Sequence, residues 1–315
     1  MAFPGTFTNA STVAYGGLIT SAQTNAVITG MNQTQLGVGL NPMRTLCEAM
    51  LTLQTGVPIP TTDQVGATTI YVTPYLGNRI ALYDGTSIWT AYVLTSDLGL
   101  ALGTLITGTN YDVFCYANAG VPTLELEAWA SATTRAVDLV LQDGIPVKSG
   151  ATTRRYVGSF RTTSTTTTED SARNRLVYNV NRVFRPLTVS DATASWTYTT
   201  AAWRAANGSG GNNVSVLVGL AGATVHLQAA AVRNNASVGA GATGIGVNST
   251  TSPSGLAVAS ANAASENAAS YATYDGFPGL GYNVCWWLEY GSGVGTDTWY
   301  GTSSPIQSGM SGWIQ

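Results

Sequence analysis

Charge is what this sequence has least of. Only 29 of its 315 residues ionise at neutral pH, 13 basic and 16 acidic, which is 9% where an average globular protein carries roughly a quarter. Charge-driven disorder needs low hydrophobicity and high net charge, and a mean hydropathy of +0.12 with a formal charge of −3 excludes it. A surface built on ion-pair networks is excluded as well. There is one histidine, His226, so a Ser-His-Asp or Cys-His centre has one place to form, and ATVHLQA reads as an ordinary strand around it. Three scattered cysteines, Cys47, Cys115 and Cys285, show neither CxxC nor Cys/His spacing. They read as reduced, buried small hydrophobes and imply no metal. No cofactor motif is present: GATGIGVNST has glycines but no P-loop lysine. The opening MAFPGTFTNASTVAYGG has no basic or continuously apolar region, so it reads as no signal peptide. The most apolar window, 214 to 232, is broken by Gly219, Gly222, His226 and Gln228 and reads as no membrane span.

What is abundant is small and neutral: 45 threonines, 36 glycines and much alanine. Alanine contributes little when buried, so such a chain gains by packing against copies of itself. A homo-oligomer is expected.

Three regions follow from the pattern. Residues 1–60 are a polar stretch in which Asn41-Pro42 makes a helix start. Met43, Leu46, Cys47, Met50, Leu51 and Leu53 then form an apolar stripe that predicts a helix over 42–55, before a linker, GVPIPTTDQVG. From Thr68 the period changes to two. TTIYVTPY, RIALY, IWTAYVLT, YDVFCYAN and TLELEAW predict short strands, with Asp84-Gly85 in a hairpin turn. ATTRAVDLVL, 132–141, can form one helical insertion. The second region ends near residue 200. The third, 201–315, is an Ala/Gly-rich block followed by a dense aromatic segment. The fold class expected is mainly β, an antiparallel sandwich- or barrel-like body with a short N-terminal helical segment, assembled as an intertwined trimer.

Three clusters are candidates for function. Glu125 and Glu127 lie on one face of a strand, about 7 Å apart by strand geometry, a spacing compatible with glycoside hydrolysis but more often a sign of edge charges or subunit contacts. Lys148 and Arg154, Arg155, Arg161, Arg173, Arg175, Arg182 and Arg185 put eight of the 13 basic residues in 38 positions. With a pI of about 5.1 and few interleaved aromatics, the seven arginines read as a subunit interface rather than a nucleic-acid site. Among the C-terminal aromatics, Trp286, Trp287, Trp299 and Tyr300 are candidates for receptor or glycan contact, against a core or trimer-interface role for most of them. Consecutive Trp286 and Trp287 must point to opposite faces of a strand.

YVTPYLGNRIALYDG, DGIPVKSGATTRRYVGSFRTTSTTTTEDSARNR, TASWTYTTAAWRAANGS and WWLEYGSG with QSGMSGWIQ resemble a poorly characterised family of virion proteins from tailed bacteriophages and prophages, over roughly residues 68–315. The resemblance implies a tail-fibre or spike subunit, a homotrimer in the virion that attaches to other virion proteins through residues 1–60 and contacts the host surface. A capsid decoration or head-fibre protein is the alternative, and a glycan depolymerase stands third. The family supplies no catalytic residues, and neither cofactor, nucleic acid nor membrane insertion is expected.

Overall fold

The alternating runs become strands. In the computed structural model, which describes residues 42–315, Thr69–Pro74, Arg79–Tyr83, Trp89–Val93, Asn110–Asn118 and Val121–Ala128 are all extended. Their β-branched and aromatic side chains suit a pleated, half-buried surface. The protein is mainly β, in several sheets paired almost throughout as antiparallel neighbours. Arg79–Tyr83 and Trp89–Val93 close as a hairpin. The turn holds because the Asp84 carboxylate accepts the backbone N–H groups of Thr86, Ser87 and Ile88, while Gly85 takes the left-handed conformation.

Two expected helices are absent. Over 42–55 the chain makes a 3-10 turn, Pro42–Thr45, and then a strand, Ala49–Thr52, paired with Thr69–Pro74. All four residues of that strand are buried, and a strand covered on both faces carries a continuous apolar run that imitates a helical stripe. The Asn179 side chain donates to the Leu51 carbonyl, tying the strand into the body. Residues 44–315 form one compact unit, so 44–60 belong to the body; the remainder of the expected N-terminal segment, 1–41, lies outside the described residues. Over 132–141 there is a loop and then Leu139–Gln142, which pairs with Ile145–Lys148. The turn between them places Asp143 and Gly144 at positive φ, the geometry a two-residue hairpin turn demands and Asp-Gly supplies.

The sheets stack in layers. The three-stranded sheet Ala49–Thr52, Thr69–Pro74 and Leu98–Ala101 covers one side of a six-stranded sheet through Leu51, Ile70, Val72, Val113, Cys115 and Phe160. Phe114, Tyr156 and Tyr178 face the opposite way into a second core shared with a 14-stranded sheet. That large sheet folds back on itself, because Leu256–Asn262 pairs with Gly239–Val247 on one side and Asn267–Gly276 on the other. Val214, Ile245 and Trp287 from one half meet Leu227, Ala229 and Met310 from the other, which makes this part sandwich-like. Strands from either side of residue 200 share the sheet: Arg185–Ser190 pairs with Gly309–Ile314, and Asn174–Arg175 with Asn213–Val218. The hydroxyl run after Arg161 is the link that carries the chain from the six-stranded sheet to the large one, closed by Thr163 and Ser164 N–H groups donating to the Thr167 carbonyl.

Small residues of the Ala/Gly-rich block let elements of the same chain approach closely. A methyl at Gly244 would meet the Trp203 ring, and one at Gly241 the Arg233 side chain.

Asp84 gives a pH prediction. Hydrogen bonds from the N–H groups of Ile88, Thr86 and Ser87 hold its carboxyl well below the ordinary range. A depressed folded-state value means the unfolded chain binds the proton first, so this stabilisation is present above the ordinary Asp value of about 3.9 and is lost as pH falls towards the folded value. Asp84→Asn is therefore expected to melt below the wild type at pH 7, with the gap narrowing below about pH 4. A gap independent of pH in thermal scans would refute it.

Candidate functional site

The acidic pair is already engaged. Glu125 and Glu127 point the same way from Val121–Ala128, and the hairpin strand Ile145–Lys148 brings the chain's one lysine between them. Lys148 Nζ lies 2.6 Å from Glu125 Oε1 and 2.7 Å from Glu127 Oε2. Arg154 Nε donates to Glu125 Oε2 at 3.1 Å while its guanidinium covers the Tyr116 ring. Burial pushes the Glu125 carboxyl up, but the hydrogen bonds from Lys148 and Arg154 outweigh it and the net displacement is downward. A glycosidase acid needs the opposite displacement to keep its proton. This cluster is arranged to fasten a hairpin to a strand.

The arginines likewise bond within the chain. Arg155 is buried and donates to the Arg44 and Ala81 carbonyls. Arg175, also buried, donates to the Pro186 carbonyl and shares Asp170 with Arg185. Arg161 bonds Asn110 and sits over the Tyr282 ring at 4.0 Å. Arg173 donates to the Gly211 carbonyl, and Arg182 to those of Gly222 and Ala221. For Arg155 and Arg175 the subunit-interface expectation is corrected, since side chains covered by their own chain have no surface to offer a partner. Arg154, Arg161, Arg173, Arg182 and Arg185 keep some exposure.

Two of the four candidate receptor aromatics are also corrected. Trp287 and Trp299 are fully buried, Trp287 edge-on to Trp196 at 6.0 Å, because the inward face of a sandwich takes the largest side chains available. Trp286 and Tyr300 are half-buried, so the consecutive tryptophans do face opposite ways. Cys115 and Cys285 are buried thiols, each pushed by burial up to about 12; Cys47 is partly covered and is raised by the same cause.

An open surface lies elsewhere, on the outer face of five adjacent strands. In spatial order these are Arg185–Ser190, Gly309–Ile314, Val225–Asn235, Asn267–Gly276 and Leu256–Asn262. Burial alternates strictly along Val225–Asn235: Val225, Leu227, Ala229 and Ala231 turn inward, while His226, Gln228, Ala230 and Val232 turn outward. Register then sets rows across the face. Pro186, Trp313, His226 and Asp275 form one; Thr188, Ser311, Gln228, Thr273 and Leu256 the next; Ser190, Gly309, Ala230, Tyr271 and Val258 the third. His226 is therefore a strand residue, stacked on Trp313 with ring centroids 4.1 Å apart and its Nδ1 3.6 Å from Asp275 Oδ2.

Gly309 and Ala230 keep the middle of the third row low, and the face is hollowed there into a groove of about 570 Å³ bordered by Tyr271. A second depression of about 420 Å³ adjoins Phe184, Pro186 and Trp313, beside the strands Arg185–Ser190 and Gly309–Ile314. Among the described residues lining both there is no Asp, Glu, Lys or Arg. Trp313 and Tyr271 remain 40% and 57% exposed. The sequence placed both in a dense aromatic segment, but only the register of a strand from 309–314 against one from 225–235 shows that they share an outward face.

No family model matches the chain, and no curated protein matches it. Among solved structures it is similar to a tryptic core variant of Cry1Da from Bacillus thuringiensis, with 8% identity over 86% of this chain and 52% of that one. The chain thus spans about half the length of that structure, and a TM-score of 0.16 gives the likeness no weight.

Proposed function

We propose that this chain is a non-enzymatic structural component of a bacteriophage virion, a tail-fibre or spike subunit. In this reading its N-terminal part docks on the particle, and the layered β body assembles as a homotrimer and projects towards the host surface. The observation that carries the reading is the outer face of the five-strand array, whose two hollows have no charged side chain in their lining and whose rows hold one carboxylate, Asp275. A broad, charge-poor, partly aromatic surface suits contact with another large body, and the candidate catalytic carboxylates Glu125 and Glu127 hold the fold together instead. The phage-like strings over 68–315 point the same way. The alternative, a capsid decoration protein gripping acidic shell loops through a basic belt, is weakened because the belt's arginines bond their own chain.

Quantitative mass spectrometry of purified particles tests it. The expected result is the chain present at a few to a few dozen copies, and a mass in light scattering of three times the 32.6 kDa chain for the free protein. Hundreds of copies would replace it with the capsid reading. Absence from the particles, or a stable monomer, would overturn it.

A further inference from the structure

We infer that the two neighbouring hollows of this outer face, one bordered by Tyr271 and the other by Trp313, together form a binding groove for an uncharged oligosaccharide, with those two rings as its stacking platforms. The inference rests on the reading of the body as a host-facing surface, and it names what that surface recognises.

Four features carry it. The first is volume: about 570 Å³ in the main groove falls within the range of roughly 300–1,000 Å³ usual for small-molecule sites. The second is the order of side chains. The row of Pro186, Trp313, His226 and Asp275 lies beside a row of hydroxyl and amide groups, Thr188, Ser311, Gln228 and Thr273. Sugars present that pairing of demands, with apolar C–H faces to cover a ring and hydroxyls to donate and accept at the edge. The third is reach. Trp313 and Tyr271 are two strands and two rows apart, about 17 Å by strand geometry, which fits a short chain of sugar units better than one unit. The fourth is charge. With no cationic side chain lining either depression, an anionic glycan would surrender its hydration without compensation, so the preferred ligand is neutral.

A second copy of the chain fits less well. In a homotrimer the contact is heterologous, so a different part of the neighbour would have to fill this hollow, and a hollow left unfilled is a void rather than the close packing of a subunit interface.

Calorimetric titration of the full chain with linear neutral hexose and N-acetylhexosamine oligomers of three to six units, alongside sialylated and sulfated counterparts, tests the inference. A neutral oligomer is expected to bind and its charged counterpart to bind at least tenfold more weakly. Trp313→Ala and Gln228→Ala should each weaken binding by about tenfold, the equivalent of ~1.4 kcal/mol, while Ile106→Ala, exposed on a loop of the six-stranded part, should leave it unchanged. Binding by none of the neutral oligomers, binding that survives Trp313→Ala, or a groove variant that shifts the oligomeric state instead of sugar affinity would overturn it. Particle copy number separates the two readings. A chain present in particles that binds no sugar defeats the groove alone, whereas a sugar-binding chain missing from particles defeats the virion reading alone.

Discussion

Arg233→Ala is expected to cost about 3–5 kcal/mol, the penalty for leaving one partner of a buried ion pair without the other. Arg233 and Asp297 are both fully buried, joined at 2.6 Å. The arginine also donates to the Gly239 and Ser260 carbonyls, so a single side chain on Val225–Asn235 holds the strands Gly239–Val247 and Leu256–Asn262 at the fold-back of the large sheet. Asp297 accepts from Asn235 Nδ2 at 2.7 Å and from the Ser292 N–H at 2.6 Å. Removing the guanidinium leaves a carboxylate in the core and takes a donor from two part-buried carbonyls. Against a total stability of typically 5–15 kcal/mol, the loss should lower the melting temperature by roughly 6–20 °C for a body of this size. The paired replacement Arg233→Met with Asp297→Leu should recover only part of it. Apolar residues can replace a buried pair at little cost, but here the carbonyls of Gly239 and Ser260 still lose their guanidinium donor. A melting temperature within 2 °C of wild type for Arg233→Ala would show that the cluster is not needed.

How far the sequence could be read depended on whether one segment or two determined the outcome. Strands such as Arg79–Tyr83 and Asn110–Asn118 declare themselves as short runs rich in apolar and aromatic residues between turn signals, and Asp84-Gly85 marks its own turn, because each answer is local. Ala49–Thr52 is local in the wrong way. Met50, Leu51 and Leu53 satisfy a helical stripe, and only the sheets closing on both sides decide for a strand. Leu139–Gln142 was likewise set by its hairpin partner.

The charged clusters failed for a related reason. Counting along the chain collects Arg154 to Arg185 into a belt, whereas register disperses them: Arg155 turns into the six-stranded layer, Arg161 to Tyr282 and Arg175 to Asp170. Glu125 and Glu127 have catalytic spacing until Lys148, more than twenty residues on, folds between them. The candidate groove was the least legible of all, since its floor and rims come from four separate parts of the chain, 184–190, 228–230, 271–273 and 307–313. Scarcity of charge thus acquires a structural meaning. Buried ions such as Arg155, Arg175, Arg233, Asp112 and Asp297 are internal fasteners, and the hollows of the outer face are left without a charged lining.

Asp112 is the fastener between layers, and Asp112→Ala should be as damaging as the loss of Arg233. The carboxylate is buried on Asn110–Asn118 and grips Arg135 with both oxygens, at 2.6 and 3.1 Å. It also accepts from Trp129 Nε1 at 2.9 Å and Ser159 Oγ at 2.7 Å, and Ser159 in turn meets the Tyr156 hydroxyl. Arg135 completes the bridge by donating to the Gly219 carbonyl at 2.6 Å, in the turn after Asn213–Val218 of the large sheet. Gly219 has no room for a side chain, since a methyl there would strike the Tyr156 hydroxyl and the Tyr178 ring. Without Asp112 a nearly buried guanidinium keeps one carbonyl and two ring faces, Trp129 and Tyr156, which cannot replace an ion partner. The expected loss is again about 3–5 kcal/mol. Its location adds a second signature, because the node couples the six-stranded layer to the sandwich. In urea, tryptophan fluorescence and far-ultraviolet dichroism should follow one transition in the wild type and separate in Asp112→Ala, as one layer loosens before the other. Asp112→Asn, which keeps the shape and one acceptor, should fall between them. Coincident transitions at the wild-type midpoint in both variants would mean that apolar packing through Phe114 and Tyr178 joins the layers unaided.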